Sequence, residues 1–247
     1  MIEPEVTSAI APAASGRGLE TAGKHETGGT ARRNSQAVSG EYIQFGCGLC
    51  APPGWRNFDA GPSFRLQQLF PFLRAALVRL GYPDYPRNVE YADVVRGLPV
   101  NPGSANAVYC SHVLEHLALD EFRIAIRNVY GYLRPGGFFR LVVPDLEYLA
   151  KTYVADNDAQ AASHFMMEAR LGEERIPRGL SGFARRALGR TWHLWMWDYK
   201  GMAKELADAG FVNIRRAQIG DSAEPRFAEL EDPLRWDKCL GVECRSS

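Results

Sequence analysis

From Tyr42 onward the chain alternates short apolar runs with amphipathic stretches, and before Tyr42 it does neither. Residues 1 to about 40 are rich in Ala, Gly, Ser, Thr and Glu and hold no aromatic residue. Such a segment cannot bury enough apolar surface to offset the entropy of ordering, so 1–40 is expected to be a disordered tail. Folding is expected to begin near Tyr42 and to give a domain over 41–247. The first apolar run, Glu41 to Phe45, reads as a strand. Phe64 to Leu80 carries apolar residues at helical spacing, is broken by Pro71 and stops at Gly81. Packing on a sheet face is the expected use of that stripe. Contact of its Arg-bearing aromatic face with a membrane surface or a lipid-linked substrate is the alternative.

Asn88 to Val94 alternates like a strand, Leu98 to Ser104 breaks any helix, and Ala105 to Val113 reads as a buried strand. Asp120 to Leu133 reads as a helix, and Arg134-Pro135-Gly136-Gly137 as its turn into a strand over Phe138 to Pro144. This alternation predicts βαβ units and a mainly parallel sheet. Asp145 to Arg190 is helical and polar, too long for an ordinary crossover, so a helical insertion at about 146–192 is expected to cover the site. Asp198 to Ala209 predicts a helix stopped by Gly210, Phe211 to Ile219 a strand, and Leu240 to Cys244 the last strand.

Composition narrows the class. A chain of 247 residues, 46% hydrophobic and 23% charged, is long enough for one globular domain with a sizeable core. Its formal charge is zero, so the whole-chain balance shows no electrostatic footprint for nucleic acid, and no nucleic-acid partner is expected. Five cysteines without a repeated pair spacing argue against a secreted disulfide framework. Cys47 and Cys50 do spell C-x-x-C, a redox or half-zinc pattern, but the bland reading is a small residue filling a glycine turn. No secretory leader and no apolar run near the roughly 20 residues of a membrane span are visible. A cytoplasmic protein is expected; the oligomeric state is not readable.

The candidate chemistry starts where the first strand ends in Gly46-Cys47-Gly48. Two glycines let the chain turn sharply and let a ligand lie against bare backbone, at the strand end that faces the crevice of a doubly wound sheet. Asp59 closes the second apolar segment eleven residues after Gly48, where a carboxylate can accept hydrogen bonds from a ribose diol. A dinucleotide dehydrogenase would need G-x-G-x-x-G and an acid about 20 residues on. Here Ala51 stands at the third glycine's place, two prolines follow, and the acid comes early.

Four segments in order carry a resemblance: Gly46-Cys47-Gly48, Gly54-Trp55-Arg56-Asn57-Phe58-Asp59, Ser111-His112-Val113-Leu114-Glu115-His116 and Arg134-Pro135-Gly136-Gly137. Over roughly Glu41 to Ile219 the chain resembles the class I S-adenosylmethionine-dependent methyltransferase family. The resemblance implies a Rossmann-like α/β fold, with a mainly parallel seven-stranded sheet, helices on both faces and an antiparallel last strand. It implies S-adenosylmethionine as cofactor, with Gly46, Cys47 and Gly48 at its methionine end, Asp59 on the ribose and Asp93 near the adenine amino group. Asn57 and Ser111 complete the expected cofactor set. The implied acceptor is a hydroxyl on a sugar, glycolipid or other small metabolite, with peripheral membrane contact an open option.

A hydroxyl acceptor wants a base within reach. His112, His116, His193 and Asp145 are the candidates, the first three because imidazole titrates near neutrality and Asp145 because it follows a strand's carboxyl end. His193 sits in the aromatic run Trp192 to Trp197, of which at least two tryptophans are expected in the core. No metal site is expected. His112, Glu115 and His116 also spell H-x-x-E-H, so a zinc-dependent hydrolase is the rival reading; it needs both histidines one turn apart on a continuous helix. A non-catalytic S-adenosylmethionine-binding subunit is the other rival.

Overall fold

The computed structural model describes residues 40–172 and 192–247. Except for Gly40, the expected tail lies outside the described residues, as does the 173–191 part of the expected insertion. Seven strands, β1 (Glu41–Phe45), β2 (Arg56–Asp59), β3 (Val89–Tyr91), β4 (Ala105–Ser111), β5 (Leu133–Pro144), β6 (Val212–Ala217) and β7 (Cys239–Arg245), form one sheet in the order 3-2-1-4-5-7-6. The helices are α1 (Pro62–Leu69), α2 (Arg74–Arg79), α3 (Leu119–Tyr132), α4 (Leu146–Ala155), α5 (Ala161–Glu168), α6 (Tyr199–Asp208) and the four-residue α7 (Pro233–Trp236).

β1 to β5 run parallel, and β7 is antiparallel to both its neighbours, β5 and β6. Phe45 pairs with Phe58 on one side and Cys110 on the other, and Asp59 pairs with Tyr91. The carboxyl ends of β1, β2, β3 and β4 therefore finish close to one level. That is the edge of an open parallel sheet where ligands bind.

One face of the sheet carries the main core. α3 turns Phe122, Ala125, Ile126 and Val129 inward at helical spacing, and α6 adds Met202 and Leu206. They meet Ile43, Val108, Leu141 and Val143 of the strands. Each fully buried large side chain of this kind contributes about 1.5 to 3 kcal/mol. On the other face, Ala107, Tyr109 and Val142 lie under Phe227 and Leu230, from the largely irregular segment between β6 and β7. Arg140 projects to this second face from the middle of β5 and is fully buried. It donates to Glu231 at 2.6 Å, Glu243 at 2.9 Å, Asp221 at 3.1 Å and the Gln218 carbonyl at 2.6 Å.

Three expectations change. Pro71 does split the Phe64–Leu80 stripe, through a 3-10 turn over Pro71–Leu73, but of its apolar residues only Phe64, beside Val89 of β3, is buried against the sheet. α1 buries only Phe64 and Gln67, α2 buries nothing, and Phe72 and Leu80 are 78% and 75% exposed. The reason is local: the neighbouring edge strand β3 has three residues, too short a floor for two helices. Second, the Pro135-Gly136-Gly137 turn is absorbed into β5, which starts at Leu133 and shifts register against β4 between Ala105 and Ala107. Third, β4 ends at Ser111, because His112 turns into the left-handed region at φ 56°. No helix among the described residues is long and apolar enough to cross a membrane.

Candidate active site

Gly46 leaves β1 at φ 65°, and a Cβ there would overlap Val113 Cγ2. Gly48 follows at φ 55°, and its amide donates to Asp59 Oδ2 at 2.9 Å, while the Gly61 amide donates to Oδ1 at 2.6 Å. The carboxylate thus ties the first loop to the tip of β2. With about four lone-pair positions, it keeps acceptor capacity after those two bonds. Asp93, just past β3, accepts from the Val95 amide at 2.9 Å. Gly46, Asp59, Asp93, Val94, Val113 and Leu117 all line one cavity of about 300 Å³. It is a slot with apolar walls and a carboxylate on each of two successive strand tips.

A smaller cavity of about 220 Å³ adjoins it at Gly46 and is lined by Cys47, Ser111 and Arg235 among others. Arg235 comes from α7, donating from Nε to Ser111 Oγ at 3.1 Å and from Nη2 to the Ser111 carbonyl at 2.6 Å. No pattern in the sequence pointed to Arg235; the N-capping Asp232 and Pro233 announce only a helix start.

A third cavity, of about 460 Å³, takes Glu115, His193, Leu149 and Glu168 into its wall. His112 and His116 line both this cavity and the 300 Å³ slot. His112 lies with Nε2 2.9 Å from the Arg235 carbonyl and Nδ1 3.2 Å from Glu115 Oε1. Burial works against its charge, but bonding to Cys239, Glu115 and the Arg235 carbonyl prevails and raises its pKa to about 10. Both ring nitrogens are engaged, Nε2 by the Arg235 carbonyl and Nδ1 by Glu115, so these contacts hold the ring in place and leave neither nitrogen free to take a proton from an acceptor.

His116 Nδ1 lies 2.7 Å from the Trp192 carbonyl, which fixes the N–H there and leaves Nε2 as the acceptor. Nε2 stands 3.9 Å from Glu115 Oε1, and the His116 and His193 rings meet edge to face at 5.1 Å. His193 is buried with Nδ1 unpartnered, and burial lowers its pKa, so the ring is neutral at pH 7. Glu115 is fully buried; Oε1 faces the His112 ring at 3.2 Å, and Oε2 has no hydrogen-bond partner.

Some candidates go elsewhere. Asn57 is fully buried and donates to the Pro52 and Trp55 carbonyls at 3.2 and 2.9 Å, holding the loop before β2. It lines none of these cavities. Asp145 caps α4 through the Glu147 and Tyr148 amides and faces Arg216 at 3.4 Å, so its oxygens are committed to structure rather than to proton transfer. Cys47 packs with Phe64, Tyr85 and Val89, and burial raises its thiol to about 12. Cys50 is exposed and unbridged. The H-x-x-E-H reading fails on geometry: His112 sits in the left-handed region at the end of β4, and only a 3-10 turn over Leu114–His116 follows. Of the tryptophans around His193, only Trp197 is core; Trp195 is exposed.

The sheet order, with an antiparallel strand inserted before the edge, is the Rossmann-like methyltransferase fold. Residues 72–141 match a family described as a methyltransferase domain. Solved structures similar to the chain include PigF with SAH, at 18% identity over 87% of this chain and 59% of that one, TM-score 0.41. Others are the trans-methyltransferase CalH complex with SAH, at 16%, 85%, 52% and 0.41, and an S-adenosylmethionine-dependent methyltransferase from Mesorhizobium loti, at 19%, 84%, 91% and 0.43. The chain thus spans less than two thirds of PigF and of CalH. No curated protein matches it. The sheet order and the matched segment are those of a class I S-adenosylmethionine-dependent methyltransferase fold, a class whose cofactor is S-adenosylmethionine. The residues present fit it: two carboxylates for a diol and an amino group, and apolar walls for a flat base.

Proposed function

We propose that the protein O-methylates a hydroxyl of a sugar, glycolipid or other small metabolite. The observation that supports this best is the shared wall of His112 and His116 between a slot suited to the cofactor and a larger polar cavity. In this reading Gly46 and Gly48 border the cofactor, Asp59 accepts from the ribose and Asp93 from the adenine amino group. Cys47, Ser111 and Arg235 stand at the methionine end, and the acceptor enters the 460 Å³ cavity. A bound cofactor supplies a methyl group already activated on a sulfonium. The chain has then to align the attacking oxygen and receive its proton. Glu115, His116 and His193 are the groups placed to hold that proton.

The test is calorimetric titration with S-adenosylmethionine, its demethylated product and NAD. Asp59→Ala should weaken the first two by about 1.5 to 3 kcal/mol, the usual loss for a hydrogen bond to a charged group. Unchanged affinity would remove the ribose assignment, and tighter binding of NAD would overturn the reading as a whole. Transfer of labelled methyl to hydroxyl acceptors, and not to amines, checks the acceptor class.

Among the acceptors, a lipid-bearing one is favoured by the exposed Leu69, Phe72 and Leu80, with Arg79 on the same short helical segment. Apolar groups rimmed by arginine suit an anionic bilayer surface. The wild type should therefore cosediment with anionic vesicles, and a Phe72→Ser, Leu80→Ser double variant should not.

A further inference from the structure

Glu115, His116 and His193 have an arrangement that proton transfer alone does not explain. Among the described residues they are the one group of histidines, cysteines and carboxylates whose ligand atoms, one from each residue, all lie within 4.8 Å of one another. They come from two places far apart in the chain, the 3-10 turn after β4 and the segment before α6, brought together where the Glu115 carbonyl accepts from the Leu194 and Trp195 amides at 2.7 and 3.2 Å. Two of the three are buried and short of partners: Glu115, whose Oε2 has none and whose Oε1 faces the His112 ring at 3.2 Å, and His193, whose Nδ1 has none. A buried carboxylate or imidazole nitrogen left without a partner costs free energy, and a cation among them would remove that cost.

The surroundings fit a cation as well. His116 bonds a main-chain carbonyl through Nδ1 and turns Nε2 toward the cluster; metal-bound histidines almost always carry such an outer bond, which fixes tautomer and ring plane. His112 Nδ1 lies 3.2 Å from Glu115 Oε1, which orients the carboxylate, and Oε2 has no hydrogen-bond partner. All three residues open on the 460 Å³ cavity, so an ion held there would keep positions free for an incoming ligand.

We infer that Glu115, His116 and His193 bind a divalent transition metal of the zinc type, and that the acceptor hydroxyl completes its coordination. Two histidines and one glutamate with an open position are a known catalytic zinc donor set. Bonds of about 2.0 to 2.2 Å ask the three ligand atoms to draw in by roughly an ångström, within reach of side-chain rotation. The role of the metal rests on the acceptor cavity proposed above; its binding does not. Held on the ion, the acceptor O–H is acidified and its proton leaves to water in the cavity. The oxygen then forms the C–O bond as the methyl–sulfur bond of S-adenosylmethionine breaks, with the electron pair passing to sulfur.

The full-length chain, stripped with a chelator and dialysed, is titrated with Zn²⁺ alone by calorimetry and with Co²⁺ alone by visible absorption. One ion per chain and intense Co²⁺ bands are expected in the wild type. His193→Ala and His116→Gln should each weaken Zn²⁺ binding by about 100-fold or more, at least the loss seen when a mere outer-shell partner is removed. His193→Ala, which lies outside the cofactor slot, should keep affinity for the demethylated cofactor product, and both variants should keep a wild-type circular dichroism spectrum, which shows that they fold. His164→Ala, whose ring lies near Asp156, should bind the metal as the wild type does. No stoichiometric ion in the wild type, binding unmoved by both cluster variants, or binding lost instead in Cys50→Ser would each overturn the assignment. Metal binding without methyl transfer to any hydroxyl would leave the site standing and sink the acceptor reading.

Discussion

Arg140→Met should cost about 3 to 5 kcal/mol of folding free energy, the usual loss when one side of a buried ion pair is removed. The guanidinium is wholly inaccessible and answers three carboxylates, of which Glu231 and Glu243 are themselves almost buried. It also lies over Trp236 at 4.8 Å and Phe227 at 5.8 Å, so its removal loosens the packing of the segment between β6 and β7. Arg215 supports the same cluster through Asp221 and Glu243, but from the partly exposed rim, and cannot neutralise Glu231. Urea denaturation of the wild type and variant measures the difference. A loss under about 1 kcal/mol would mean that the cluster contributes no more than a surface pair.

The same cluster sets an acid dependence. Burial pushes Asp221 upward, but hydrogen bonds from Arg215, the Gln218 amide and Arg140 prevail and hold it at about 2, below its ordinary 3.8. A carboxylate depressed in the folded state contributes stability that is full above its unfolded pKa and is lost as pH falls through the folded one. Thermal midpoints of the wild type should therefore drop between about pH 4 and 2, and less steeply in Arg140→Met, where one of the bonds is gone.

Gly46→Ala should abolish measurable binding of S-adenosylmethionine and of its demethylated product, and destabilise the fold as well. The left-handed backbone at Gly46 costs an alanine about 1 to 2 kcal/mol. The added methyl overlaps Val113 Cγ2, an overpacking worth about 1 to 3 kcal/mol more. Val113 lines the cofactor slot, so whichever side yields, the slot changes shape. Adding Val113→Ala should restore the steric part of the loss and leave the backbone part. A double-mutant cycle separates the two, and near-wild-type affinity in the single variant would show that the first loop does not shape the site.

What could be read from the sequence was local. β1, the Gly46–Gly48 turn, Asp59 and α3 follow from apolar period and glycine chemistry within windows of about fifteen residues. The slot between Asp59 and Asp93 follows from these once the strands are parallel neighbours. What could not be read depends on partners far along the chain. Arg140 is a single charge within an apolar strand, and the carboxylates that answer it lie 81 to 103 residues away. Arg235 reaches Ser111 across 124 residues. Asp145 and Asn57 carried the right chemistry, but which group each would serve was decided by Arg216 and by the loop before β2. The Phe64–Leu80 stripe has the spacing of a packed helix, and spacing cannot tell that the strand beside it is three residues long.

β7 lies between β5 and β6 and bonds to both. β6 precedes it in the chain, yet has no edge to join until β7 is seated. Synthesis order and zippering order therefore disagree at this end of the molecule. Until the final strand slots in, β5 presents a bare hydrogen-bonding rim with Arg140 unanswered by Glu243.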